Sequence, residues 1–130
     1  MARAYTVTAA ALALGVSTKW VDNALSQHRV AGVSQEKQGV ARRLSVAALV
    51  ALNLSLMLIR DLSIPLGKAI VLSESMVAGM GTVETGAGIV VHVDLEAVRS
   101  RLHARLESAV ESAPAPRRGR PPKSKTGRLD

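Results

Sequence analysis

The chain contains no cysteine and no phenylalanine, and only one tryptophan and one tyrosine. Without cysteine there are no disulfide staples and no thiolate metal sites, which fits a reducing cytoplasm. Without aromatic walls a large ligand cavity lacks its usual lining, and small aliphatic side chains suit close helix packing instead. The three histidines, His28, His92 and His103, are scattered and show no ligand spacing, so neither a metal nor a cofactor is expected. Paired-carboxylate, Ser–His–Asp and phosphate-loop patterns are missing as well. The glycines of "GMGTVETGAG" do not have dinucleotide-binding or P-loop spacing and read as turns. The sequence therefore reads as a non-enzyme. Long apolar runs are also wanting. The most apolar stretch, Val46–Ile59, has Asn53 and Ser55 inside it and falls short of the roughly 20 residues a membrane-spanning helix needs. The N-terminus carries no signal pattern, since Thr18 and Lys19 soon follow the first apolar residues.

What is present is apolar bulk and positive charge. The chain has 130 residues, 48% of them hydrophobic, and a formal net charge of +7. That is one domain's worth of chain with an appendage. The charge is uneven: residues 113–130 hold six Lys/Arg against one Asp, and residues 1–112 hold eleven against nine. A tail of that kind seeks a polyanion.

Local patterns set out the elements. Tyr5–Val7 is strand-like, and Thr8 is placed to cap a short Ala/Leu helix that runs to Leu14 and stops at Gly15. Ser17 caps a second helix over 18–26. Stretches around Val30–Val33 and Val40–Leu44 are expected to pair as a small hairpin around Gln35–Gly39. Ser45 caps the apolar helix, and Ser63 with Pro65 restarts a shorter one over Leu66–Met76. Thr82–Glu84 and Ile89–Val93 form a hairpin. Asp94 caps a last helix over Leu95–Ser112, with Leu95, Val98, Leu102, Leu106 and Ala109 or Val110 in one stripe. Residues 113–130 carry too little apolar surface to fold alone and are expected to be disordered.

The first two helices meet the steric demands of a helix-turn-helix. Such a unit needs a small residue where the helices cross, a glycine at the turn and a branched apolar residue beneath the second helix. Ala11, Gly15 and Val21 stand at those spacings, with Leu14, Val16 and Leu25 as accompanying core. At 100° per residue, Val21, Ala24 and Leu25 point inward, while Thr18, Lys19, Asp22, Asn23 and Ser26 lie where a recognition helix meets the major groove. Lys19 suits phosphate or guanine, Asn23 adenine, and Asp22 the amino group of cytosine; Trp20, at the edge of the buried face, suits packing.

From Tyr5 to about Leu72 the chain resembles the winged helix-turn-helix of MerR-like bacterial regulators. The likeness rests on "YTVTAAALALGVS", "GVARRLS" and "SVAALVALNLSLMLIRDLSIPLGKAI". It implies that Arg42 and Arg43 lie on the wing and clamp phosphates. The chain departs from the family in having Asp22 where an arginine is usual, and Asn23 and Ala24 where aromatics are usual. Excisionase-type phage proteins share the same fold.

The tail segment "RRGRPPK", Arg117–Lys123, resembles an AT-hook, with Arg118-Gly119-Arg120-Pro121 as its core. The narrow minor groove of an A·T tract draws in guanidinium groups. Gly119 lets the backbone sit on the groove floor, and Pro121 with Pro122 keeps the strand extended. The resemblance assigns Arg117, Arg118, Gly119, Arg120, Pro121 and Lys123 to that groove.

The expected architecture is mainly α: a winged helix-turn-helix over 1–76, a β-hairpin and helix over 77–112, and a basic tail over 113–130. The expected function is double-stranded DNA binding with an A·T-rich flank favoured, by a bacterial or phage transcriptional regulator that is cytoplasmic and nucleoid-associated. An antitoxin-like module that takes a protein partner through 77–112 is the alternative. The all-round apolarity of Val46–Ile59 implies either a homodimer or cover by the chain's own C-terminal unit.

Overall fold

Short polar side chains set where the helices begin in the computed structural model, which describes residues 3–35 and 41–112. Each cap oxygen accepts a backbone N–H that the first helical turn leaves unpaired. Thr6 Oγ1 accepts from Ala9 N at 3.1 Å and opens α1 (Val7–Leu14). Ser17 Oγ accepts from Trp20 N at 3.0 Å and opens α2 (Thr18–Gln27). Ser45 Oγ accepts from Ala48 N at 3.2 Å and opens α3 (Val46–Leu62), which α4 (Leu66–Ala78) follows. Asp94 Oδ1 accepts from Ala97 N at 3.1 Å and opens α5 (Leu95–Ser112).

Two expectations are corrected here. The first cap is Thr6 and not Thr8, because strand β1 covers Ala4–Thr6 and ends one residue earlier than Tyr5–Val7. Ser63 does not open α4. It closes α3 from the left-handed region (φ 57°), with its N–H on the Ile59 carbonyl at 3.0 Å, and α4 starts after Pro65 with no side-chain cap.

A three-stranded antiparallel sheet has the order β1–β3–β2, where β2 is Val33–Ser34 and β3 is Arg43–Ser45. Tyr5 and Val33 flank Leu44 from either side, and this places an aromatic ring and a fully buried leucine over the core. The strands are shorter than Val30–Val33 and Val40–Leu44. Val30 is instead buried in the core, and residues 36–40 of the expected hairpin lie outside the described residues. A second hairpin pairs β4 (Thr82–Glu84) with β5 (Val90–His92), Val83 facing Val91.

Among the described residues the molecule is mainly helical, with five helices around one hydrophobic core that takes side chains from α1 to α5. The alanines of α1 (Ala9, Ala10, Ala11, Ala13) are all buried, and their small side chains let this helix pack against α2, α3 and α5 together. The α5 stripe is Leu95, Val98, Leu102, Leu106 and Ala109, while Val110 is exposed. Leu49, Val50, Leu52 and Leu54 of α3 are essentially inaccessible, so the chain's own elements cover that helix. Inside the α3–α4 contact, the Ser55 hydroxyl donates to the Ala51 carbonyl at 2.8 Å. Its single proton being spent there, the Ser73 hydroxyl donates to Ser55 Oγ at 3.1 Å. Among the described residues no helix is long and apolar enough to cross a membrane.

Candidate nucleic-acid interface

The turn between α1 and α2 is made by Gly15, which adopts φ 74°, ψ 31° and donates its N–H toward the Ala11 and Leu12 carbonyls. Val16 N then donates to the Ala11 carbonyl at 3.0 Å. Only a residue tolerant of the left-handed region reverses the chain this tightly, and Ser17 restarts the helix two residues on. The turn fixes the crossing of α2 over α1, at a point where Ala11 is 3% exposed.

Val21 (0% exposed) and Ala24 anchor α2 to the core, and Leu25 and Trp20 pack against it at the edges. Thr18, Lys19, Asp22, Asn23 and Ser26 are all exposed. The helix therefore offers solvent a short polar stripe with three hydrogen-bonding side chain types and one cation. Nothing among the described residues covers it except one neighbour, Arg42.

Arg42 precedes β3, and its side chain turns onto the stripe. Nη1 stands 3.3 Å from Asp22 Oδ1, and Nη2 donates to Ser26 Oγ at 3.2 Å. Asp22 and Ser26 are one helical turn apart, so the guanidinium bridges them along the outward face of α2. Arg43, the next residue, is exposed and lies across the sheet from Thr6. The two arginines of the hairpin thus stand in different places: one on the helix, one free at the sheet surface.

Two more cations were not among the candidate residues. Arg3 lies over the Tyr5 ring, 5.2 Å from its centroid, at the start of β1. Arg29 follows α2 and borders a cleft of about 460 Å³ between that helix and the hairpin, which Ser26, His28, Gln35 and Arg42 also line. Neither sits in a recognisable pattern. Their signal is the charge of the whole segment. Residues 1–60 carry seven Lys/Arg against two Asp/Glu, and residues 61–112 carry four against seven. The first segment of chain is net positive and the second net negative. Among the described residues of the positive segment, Asp22 is the sole carboxylate, and it is paired.

Backbone contacts hold this face to the rest. Glu74 of α4 accepts the Ala31 N–H at 2.8 Å, and Ser45 N donates to the Gly32 carbonyl at 2.9 Å, so the segment leaving α2 is pinned to α4 and β3. Among the described residues no group of three His, Asp or Glu side chains could hold a metal ion. The three arginines and the lysine of Arg117–Lys123 lie outside the described residues.

No family model, curated protein or solved structure matches this chain.

Proposed function

We propose that this protein binds double-stranded DNA as a transcriptional regulator of the winged helix-turn-helix kind. Helix α2 enters the major groove, the β2–β3 hairpin is the wing beside it, and Arg117–Lys123 takes a neighbouring A·T-rich minor groove as an AT-hook. The observation that carries this reading is the exposed stripe Thr18, Lys19, Asp22, Asn23 and Ser26 on a helix whose opposite side is anchored by Val21 and Ala24. A helix that turns hydrogen-bonding side chains outward from a net-positive segment of chain suits the reading of base edges. Arg43, exposed on the sheet, fits a phosphate contact, which fixes register without reading sequence.

The test is a gel shift of the full chain at moderate salt on A·T-flanked and G·C-flanked duplexes. The expected result is tighter binding to the A·T-flanked duplex. Replacing Arg118 and Arg120 together by alanine should equalise the two duplexes and flatten the slope of log affinity against log salt by about two units, one per lost contact. Equal and weak affinity of the unsubstituted chain for both duplexes defeats the proposal.

A second reading, capture of a protein partner in the manner of an antitoxin, is favoured by one feature. Met80, Ile89 and Val90 are large apolar side chains left exposed at the β4–β5 hairpin. A stoichiometric partner that co-purifies with the chain and is lost on replacing Ile89 and Val90 by threonine supports it. The two readings are compatible.

A further inference from the structure

We infer that Arg42 reads a guanine in the major groove, lent to helix α2 by the hairpin, and that Asp22 is its positioning residue and not a reader of cytosine. This rests on the DNA-binding reading and assigns roles to a charged pair that lies along the outward face of α2.

Three observations lead there. First, a bare carboxylate on the groove-facing side of a probe helix meets the negative potential of two phosphate backbones, which opposes binding. Asp22 stands on that side, and its Oδ1 is engaged by Arg42. Second, the Arg42 guanidinium lies along the same stripe as Asp22 and Ser26, so it enters the groove wherever α2 does. Third, the two contacts use one N–H of Nη1 and one of Nη2 out of five. Nε and the second hydrogens of Nη1 and Nη2 remain, enough for the two acceptors O6 and N7 that guanine presents in the major groove. Arginine's planar fork suits such a bidentate contact, and a second partner that fixes its plane lowers the ordering cost on binding.

Arg43 supplies the internal contrast. It is adjacent in sequence and equally charged, yet exposed on the sheet. An arginine that grips phosphate affects every DNA sequence alike, whereas one that reads a base affects one position of the site.

The experiment is selection of bound duplexes from a randomised pool, followed by affinity measurements over a range of salt, on the full chain and its variants. The unsubstituted chain should select a G·C pair at one position that Arg42→Ala and Arg42→Lys both release. Discrimination at that pair should fall about 10- to 100-fold, with other positions kept. Asp22→Ala should relax the same pair, although Asp22 does not touch it, and should add nothing in the Arg42→Ala background. Asp22→Asn, whose amide oxygen still accepts from Arg42, should retain most of the preference. Arg43→Ala should weaken all sequences evenly and flatten the salt slope by about one unit.

The inference is overturned if Arg42→Ala behaves as Arg43→Ala does, or if Asp22→Ala changes a different base pair in the Arg42→Ala background. A chain that selects a sequence which none of these substitutions alters also overturns it and leaves the DNA-binding reading standing. A chain that binds no duplex at all removes both.

Discussion

At the scale of single residues, Gly15 separates two effects that are usually mixed. It occupies the left-handed region, and a Cβ built there meets nothing within 4 Å. Gly15→Ala should therefore cost only the backbone strain, about 1 kcal/mol, read as a lower urea midpoint with an unchanged m-value. Gly32 differs. At φ 90° its Cβ would strike the Ser45 hydroxyl, the oxygen that caps α3. Gly32→Ala should cost more than Gly15→Ala, because it also disturbs that cap. Equal losses for the two variants would contradict this. Residue roles that depend on a local steric demand were legible in the sequence: Ala11, Gly15 and Val21 take the positions their spacing implies. The Arg42–Asp22 contact was not, because it joins positions twenty apart. The sequence offers only two adjacent arginines, with no sign that one turns back onto a helix.

At the scale of elements, the clearest test is the end of α3. Ser63 adopts a left-handed conformation that costs a non-glycine residue about 1 kcal/mol. Ser63→Gly should raise the stability of the chain by roughly 0.5–1 kcal/mol, measured by thermal and urea unfolding. No gain would mean that glycine's freedom in the unfolded chain cancels the relieved strain. The same position shows why some boundaries misled. A serine ahead of a proline has the composition of a helix start, but the preceding helix claimed it as its last turn. Thr6 and Thr8 both suit a cap, and strand pairing with Arg43 and Leu44 decided for the first. The caps at Ser17, Ser45 and Asp94 could be read because the oxygen and the N–H that it accepts lie three residues apart. The seating of α5 mainly on α1 could not. An apolar stripe names the buried face of a helix and leaves its neighbour unnamed.

At the scale of the whole molecule, α1 packs against both α2 and α5, so the C-terminal helix supports the face that α2 presents. Leu106 is fully buried in α5. Leu106→Ala should cost roughly 2–5 kcal/mol, and unfolding should remain a single transition, since one core joins α1 to α5. A separate early transition confined to α5 would show that residues 95–112 form a unit of their own. If α2 is the DNA probe proposed above, then at temperatures where this variant stays folded its affinity for DNA should be unchanged, which separates support of α2 from direct contact.

The division of charge along the body has a kinetic consequence. If the chain meets DNA as proposed, the excess of cations before residue 61, set against the carboxylate-rich stretch 61–112, draws that part of the chain toward the polyanion at long range. Added salt shortens the reach of that attraction, and association should slow as the salt concentration rises.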